Sequence, residues 1–400
     1  MMSEKIIILL IFLILISQTN KNKNYESLIN RYNKLKKNII SLKDIKEDLF
    51  PFIAYVKFIK EGKAIKSAYK NGYSNPKVSI IASVFNKEKY LESFITSIQM
   101  QDLNEIEAIF VDDFSTDKSN RIINSFIKTD RRIKLIKNQK NMGSLYSRAI
   151  GGKIAKGNYI IFFDTDDIIL KEGILKAYNH IVKYNLDIVQ FLSIHHGNKN
   201  IYIKSNFCKY KYVIKQPILS YIFYFNNTGV ENNVALWDKL VKKQVVLNSL
   251  KYIGEKYIQD KIIIENDVIL LFSIFKMAES YQFIPTFGYY YFIANKGSIS
   301  NSMYNLNKSN EIIYSVLTNI KFLYEKSNKS NLNKYFCIFK IKQSFRKFKK
   351  NLKYARKQFA FIKDLFNGIF FNSKFISNKD KLDLMKLYLT LFKTNGSIRK

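Results

Sequence analysis

Between residues 76 and 200, short apolar runs alternate with amphipathic segments about every 25 residues. An apolar run of four to seven residues bounded by polar ones predicts a buried strand, and apolar residues three and four apart predict one face of a helix. The predicted strands are residues 78–84, 106–111, 133–136, 159–163 and 187–192, and the predicted helices are residues 88–100, 117–129, 144–156 and 171–184. Strands that alternate with helices favour an α/β fold with a mostly parallel, doubly wound sheet flanked by helices.

Beyond residue 200 the alternation weakens, and the pattern predicts mainly helices. The first three predicted helices of this part are residues 217–225, 236–247 and 267–279. Residues 301–400 also have a helical pattern and are strongly basic. A solvated helix face explains such a charge run, and contact with an anionic membrane surface or an acidic acceptor is the alternative.

The N-terminus carries a short apolar run. Lys5 is followed by eleven apolar residues, Ile6 to Ile16. This length fits the apolar core of a signal peptide, whereas a membrane-spanning helix needs about 20 residues. An uncleaved membrane anchor and a buried strand are the alternatives. The first two interpretations place the protein in the secretory pathway, in the lumen of the endoplasmic reticulum or Golgi.

Residues 25–49 carry one apolar stripe at spacings of three and four, which predicts a helix with a single buried face. The stripe packs on the neighbouring domain, or it pairs with a second copy as the stem of a homodimer. Turn signals at Asn71-Gly72 and Asn75-Pro76 end this segment.

The charge balance is extreme, with 66 Lys and Arg against 32 Asp and Glu and a net charge of +34. Such a field attracts nucleic acid, anionic lipid or acidic glycan. Heavy use of Lys, Asn and Ile is also what compositional drift in an AT-rich coding sequence produces. Because the usual nucleic-acid-binding motifs are absent from the sequence, we expect no nucleic-acid partner.

Carboxylates follow two of the predicted strands. Strand 106–111 runs into Asp112-Asp113, and strand 159–163 runs into Asp164-Thr165-Asp166-Asp167. Ligands of open α/β sheets bind beyond the carboxyl ends of the strands, so both acidic ends lie where a ligand is expected. Three carboxylates within four residues repel one another, and a hard divalent cation relieves that repulsion. The pattern predicts a Mn²⁺ or Mg²⁺ site at the second end, with helix capping as the alternative.

Several segments resemble the family 2 glycosyltransferases in sequence, order and spacing. They are VSIIASVFN at 78–86, VDDFSTD at 111–117, NMGSLYSRA at 141–149, GNYIIFFDTDD at 157–167, ALWDKLV at 235–241, ENDVILLF at 265–272, YYYF at 289–292 and GSIS at 297–300. The resemblance implies a GT-A fold and inverting transfer of a sugar from a nucleotide diphosphate sugar. UDP is the favoured carrier, and the acceptor is a hydroxyl group on a glycan, a glycoprotein or a lipid.

The resemblance also implies a nucleotide pocket at the first two strand ends. Val84, Phe85 and Asn86 would line this pocket, and Asp113 would contact the base and ribose. Arg148 would approach the diphosphate.

The same resemblance assigns the catalytic centre. Asp164, Thr165 and Asp166 would form the Asp-x-Asp motif beside the donor, with Asp166 binding the metal and Asp164 assisting it. Asp267 would be the general base, with helix capping as its alternative. Asn266 stands where the family usually has Glu, and it would influence acceptor binding or the neighbouring base.

Trp237 is the only tryptophan of the chain, and two interpretations of it stay open. It stacks on the sugar ring of an acceptor, or it packs in the core. The Gln-x-x-Arg-Trp signature of processive polysaccharide synthases is absent from the sequence. A catalytically inactive sugar-nucleotide-binding relative and a basic nucleic-acid-binding protein are the alternatives to an active enzyme.

These observations divide the chain into four parts. Residues 1–20 are a signal peptide or short membrane anchor, and residues 21–75 are a helical stem or packing segment. Residues 76–302 are the catalytic domain, with a nucleotide-binding half (76–200) and an acceptor half (201–302). Residues 303–400 form the basic helical C-terminal region.

Overall fold

The computed structural model describes residues 73–196, 201–204, 213–216, 235–262 and 266–292, and isolated positions at 55–57, 59–60, 315, 318–319, 322–323 and 325–326. The predicted signal peptide or anchor, the 25–49 stripe, the 217–225 helix and most of the basic C-terminal region lie outside these residues and stay predictions. Within the described residues, every helix is too short or too polar to span a bilayer.

Four parallel strands with intervening helices form the first half of the domain. They are β1 (Val78–Val84), α1 (Glu88–Gln99), β2 (Ile106–Asp112), α2 (Ser119–Ile127), β3 (Ile133–Lys137), α3 (Ser144–Ile154) and β4 (Tyr159–Asp164). Each element lies within two residues of its predicted bounds. Periodicity succeeds here because β1, β2 and β4 are mostly apolar and each helix has one apolar face.

The second half is more varied. It contains β5 (Ile168–Ile169), α4 (Gly173–Lys183), β6 (Ile188–His196), β7 (Ile201–Lys204), β8 (Ile214–Lys215), β9 (Lys239–Lys242), α5 (Lys243–Ile253), α6 (Glu255–Gln259), α7 (Asn266–Met277) and β10 (Ser280–Phe292).

One sheet joins these strands in the order β3-β2-β1-β4-β9-β6-β10-β5, with β7 beside β6 and β8 beside β10. Strands β1 to β4 are parallel to their neighbours in this group. Strand β9 is antiparallel to both β4 and β6, whereas β6 and β10 run parallel. The predicted α/β fold, with a mostly parallel sheet flanked by helices, is confirmed.

The predicted helix over 236–247 is wrong in its first half. Leu240 and Val241 are buried in strand β9, and Val241 pairs with Ile160 of β4 on one side and Ile188 of β6 on the other. The helix starts only at Lys243. A strand of four residues gives too short a pattern to be recognised beside the adjoining helical pattern. It forms a strand because it pairs with β4 on one side and β6 on the other.

The core lies on both faces of the central strands. Every residue of β2 is buried, as expected for a strand covered on two sides. Helix α1 contributes Phe94, which meets Phe110 of β2 edge to face with ring centroids 6.0 Å apart. Helix α4 approaches β10 closely, because a Cβ atom on Gly173 would lie only 2.3 Å from the Cα atom of Gly288. Helices α1 and α4 therefore pack directly against the sheet.

Candidate active site

The turns that follow β1 and β2 are fastened to each other. The Ser115 Oγ atom accepts a hydrogen bond from the Asn86 backbone N–H at 2.9 Å, and the Asn86 Oδ1 atom accepts one from the Thr116 backbone N–H at 2.9 Å. Asn86 and Phe114 have positive φ angles of 52° and 69°. Phe85 and Phe114 are among the most exposed large apolar residues of the described chain, at 43% and 52%. Two aromatic rings are thus presented at neighbouring strand ends.

Asp113 is buried and holds the loop before α3. Its carboxylate accepts hydrogen bonds from the backbone N–H groups of Met142 at 2.8 Å and Gly143 at 2.7 Å, and from the Asn138 side chain at 2.9 Å. Its own backbone N–H donates to the carbonyl of Val84 at 2.7 Å. The Val84 side chain is fully buried in the core, which argues against a nucleotide contact from that side chain. A contact between Asp113 and a ribose stays a prediction.

Arg148 of α3 connects the two halves of the site. Its Nη2 atom donates to the Asp164 carboxylate at the end of β4, at 2.8 Å. Its Nη1 atom donates to the carboxylate of Asp267 and to the side-chain oxygen of Asn266, both at the start of α7. The arginine is buried, at 6% exposure. A single guanidinium therefore brings the predicted metal motif and the predicted general base together, although they are about 100 residues apart in the chain.

Negative charge is crowded around Asp164. Burial raises its pKa, the Arg148 guanidinium opposes this, and repulsion from Asp267 and Asp166 adds to the rise, which brings the pKa of Asp164 to about 6. Ionised carboxylates at this position therefore favour an additional positive charge. Arg148 alone does not restore the ordinary pKa of this carboxyl.

Asp166 is paired with a residue that the sequence analysis missed. The Lys87 Nζ atom, at the start of α1, lies 2.7 Å from the Asp166 Oδ2 atom. Both side chains are largely buried, at 16% and 14% exposure. A lysine at the start of a helix is unfavourable beside the positive end of the helix dipole, and this is the signal that could have identified it.

The turn after β4 is anchored onto β10 through Asp167. The Asp167 carboxylate accepts hydrogen bonds from the Tyr289 hydroxyl at 2.7 Å and from the Phe292 backbone N–H at 2.8 Å. Burial, together with repulsion from Asp166, raises the pKa of Asp167 well above its ordinary value. Thr165 is also buried, and its hydroxyl has no hydrogen-bond partner among the residues that the structure describes. These contacts fix the direction in which the Asp-x-Asp carboxylates leave the strand.

Trp237 lies in an aromatic stack beside this turn. Its ring stacks on Tyr289 with centroids 4.6 Å apart and planes 13° apart, and on Tyr291 at 5.6 Å. Tyr289 in turn stacks on Phe163 at 5.2 Å. Trp237 is 9% exposed, so its position matches the core-packing interpretation. Stacking on an acceptor sugar stays a prediction.

The two carboxylates of Asp164 and Asp166 have the chemistry of a partial Mg²⁺ or Mn²⁺ site. No group of three or more His, Cys, Asp or Glu side chains in the described part of the chain makes a complete cation site. A cation held here would therefore take further ligands from its substrate, as Mg²⁺ does in many phosphate-binding sites.

Comparison with known proteins agrees with this geometry. Residues 79–232 match the glycosyl transferase family 2 model. An uncharacterized glycosyltransferase from Haemophilus influenzae is 41% identical over 123 residues, or 31% of this chain and 47% of that protein. A cholesterol galactosyltransferase from Borreliella burgdorferi is 31% identical over 242 residues, or 58% of this chain and 64% of that protein. The chain thus spans less than two thirds of the length of these relatives.

Solved structures show the same fold. The structure of TarS from S. aureus in complex with UDP has a TM-score of 0.52 at 17% identity, covering 79% of this chain and 88% of that one. A second TarS structure has a TM-score of 0.54 at 18% identity, covering 73% of this chain and 49% of that one. At such identities the likeness concerns the fold alone. Residues 79–232 of this chain thus match the glycosyl transferase family 2 model, and the architecture around them is a GT-A fold.

Proposed function

We propose that this protein transfers a sugar from a nucleotide diphosphate sugar to a hydroxyl acceptor, with inversion at the anomeric carbon and Asp267 as the general base. The observation that carries the proposal is that the buried Arg148 joins Asp164, the first carboxylate of the Asp-x-Asp motif, to Asp267. A donor site and a base must lie side by side for a single displacement, and this arrangement brings them together.

The proposed donor is a UDP-sugar. TarS, whose fold this chain shares, has been solved with UDP and with UDP-GlcNAc. In this chain, the exposed ring of Phe85 lies at the end of β1 and offers a flat face to a base. Asp113 holds the loop beside the same strand ends and so supports the shape of the pocket.

Asp164 and Asp166 would hold a Mn²⁺ or Mg²⁺ ion together with the diphosphate of the donor. When bound, the ion would neutralise the charge that develops on the leaving diphosphate. The raised pKa of Asp164, caused first by burial and then by repulsion from Asp267 and Asp166, supports this assignment, because a cation would stabilise the ionised carboxylates. Arg148 would orient Asp164 while it holds the start of α7 against the same site.

Asp267 would remove the proton from the acceptor hydroxyl as the new glycosidic bond forms. Its side chain is 25% exposed, so an acceptor can reach it. The hydrogen bond from Arg148 holds this carboxylate in place at the start of α7. General-base catalysis of this kind typically contributes about 10²–10⁴-fold to the rate. A single displacement requires no covalent intermediate on the protein.

The test is a screen of the full chain with Mn²⁺ against a panel of UDP- and GDP-sugars, with release of free nucleotide as the readout. Cholesterol belongs among the acceptors, because the relative from Borreliella burgdorferi is named a cholesterol galactosyltransferase. We expect release from one donor and loss of that release in D166N. Nucleotide binding without release from any donor would favour an inactive relative, and salt-sensitive DNA or RNA binding that survives D166N would favour a nucleic-acid-binding protein.

A further inference from the structure

We propose that Lys87 is a tethered counter-ion of the Asp-x-Asp turn, which a divalent cation must displace from Asp166 in order to bind. The inference deepens the proposed function, because it assumes that Asp166 is a cation ligand. It assigns to Lys87 control over how tightly the turn holds a metal before the donor arrives.

The position of Lys87 is unusual for a lysine. It is the N-cap residue of α1, where Ser, Thr, Asn and Asp are preferred and where the helix dipole disfavours positive charge. Its side chain makes no capping hydrogen bond. Its backbone N–H donates to the Ser119 Oγ atom at 2.9 Å, which fixes the backbone at this point. The ammonium group instead pairs with Asp166 in the turn after β4, so this ion pair outweighs the preference against lysine at a helix start.

The charges of the turn explain why a counter-ion is needed there. Arg148 pairs with Asp164 and Asp267, and neutral donors hold Asp167. Lys87 pairs with Asp166, and its charge also opposes the rise that burial causes in the pKa of Asp164. It therefore supplies positive charge to the same carboxylates that would bind a metal.

A metal ion and the ammonium group cannot both occupy the space in front of Asp166. A divalent cation bound to this carboxylate would lie within a few ångströms of the Lys87 Nζ atom, where charges of like sign repel strongly in a largely buried site. Lysine has a long, flexible stem, so the ammonium group can move away. The face of the Tyr90 ring, whose centroid is 5.7 Å from the Nζ atom, offers it a nearby alternative.

The experiment measures Mn²⁺ binding to the full chain without nucleotide, by the electron paramagnetic resonance signal of free Mn²⁺. We expect K87M to bind Mn²⁺ about tenfold more tightly than the wild type, because a neighbouring charge typically shifts ion affinity at a carboxylate by this order. K87R keeps the charge and should bind as the wild type does. K77M is the matched control, because Lys77 also pairs with a carboxylate, that of Glu105, but lies just before the start of β1, away from the strand ends that carry the site.

Equal Mn²⁺ affinity in K87M and the wild type overturns the inference, and so does an equal gain in K77M. If wild-type binding is too weak to detect, K87M must bring it into range, and no binding in either protein also overturns the inference. K87Q repeats the measurement if K87M fails to fold, and the gain must disappear in K87M/D166N. Nucleotide release is measured separately. If the wild type releases nucleotide and K87M binds Mn²⁺ no more tightly than the wild type, only this inference is contradicted. If K87M binds Mn²⁺ more tightly and no donor releases nucleotide, only the proposed function is contradicted.

Discussion

The guanidinium of Arg148 and the carboxylate of Asp267 form a hydrogen-bonded ion pair across 119 residues of sequence. The same side chain also pairs with Asp164, so its removal leaves two carboxylates without their shared cation. We expect R148M to lower the free energy of unfolding by about 3 kcal/mol, the lower end for a broken buried pair, because both carboxylates are partly exposed. Urea unfolding followed by circular dichroism measures this loss.

R148K is the matched variant for Arg148. It keeps the positive charge, so it should lose less stability than R148M, but it lacks the fixed fork through which Arg148 reaches its three partners. An unfolding midpoint in R148M equal to that of the wild type would show that the cluster does not depend on this cation.

The assignment of Asp267 predicts a loss of rate without a loss of donor binding. We expect D267N to lower kcat about 10²–10⁴-fold, because the amide cannot take the acceptor proton. The dissociation constant for UDP should change less than twofold, since Asp267 lies on the acceptor side of Arg148 in the proposed arrangement. Steady-state kinetics and calorimetric UDP binding measure the two quantities. D102N, which changes an aspartate paired with Lys171 on the surface, should leave both unchanged.

Local patterns account for the parts of the fold that the sequence predicts well. Strands β1, β2 and β4 are apolar runs that can be recognised from their own residues, and the acidic turn after β4 follows directly in the sequence. Parallel strands place their carboxyl ends at one edge, so sequence alone could group these polar residues. In the structure the ends of β1, β2 and β4 lie side by side, with Val84 beside Asp112 and Ser83 beside Asp164.

The rest of the site depends on contacts between distant segments. The pairing of Lys87 with Asp166 joins residues 79 positions apart, and the contact of Arg148 with Asn266 joins residues 118 positions apart. The local pattern of apolar and polar residues carries no information about such contacts. The same holds for Trp237, whose place in the stack depends on the register of β10. Asn266 was predicted to influence binding of the acceptor substrate or the neighbouring base. In the structure its side-chain oxygen accepts a hydrogen bond from Arg148.

Glu107, near the start of β2, is expected to make a contribution to stability that is lost in acid. Burial alone would raise its pKa, but hydrogen bonds from Lys134, Ser79 and the Lys156 backbone outweigh it and hold the pKa of Glu107 below its ordinary value of 4.5. The unfolded chain therefore binds this proton more readily. The stability from Glu107 is fully present above pH 4.5 and is lost as the pH falls through the folded pKa.

E107Q removes this titration together with the pairing to Lys134. We expect its urea midpoint to be lower than that of the wild type at pH 6, and to fall less between pH 5 and pH 3. E255Q is the control, because Glu255 forms an exposed pair with Lys153 and its loss should cost no more than about 0.5 kcal/mol. Parallel pH profiles for E107Q and the wild type would contradict the assignment.

Phe114 combines a strained backbone with an exposed ring. We therefore expect its replacement by Gly to increase stability and to weaken nucleotide binding. Its φ of 69° costs a residue with a side chain about 1–2 kcal/mol, and burial returns little, because the ring is 52% exposed. We expect F114G to raise the free energy of unfolding by about 1 kcal/mol and to weaken UDP binding about tenfold, because a stacking face at the strand ends is lost. Asn185, whose φ is 47°, gives the control N185G, which should change neither quantity, since Asn tolerates this conformation. Urea unfolding and calorimetry test both expectations, and a less stable F114G with unchanged UDP affinity would show that the strain serves no ligand.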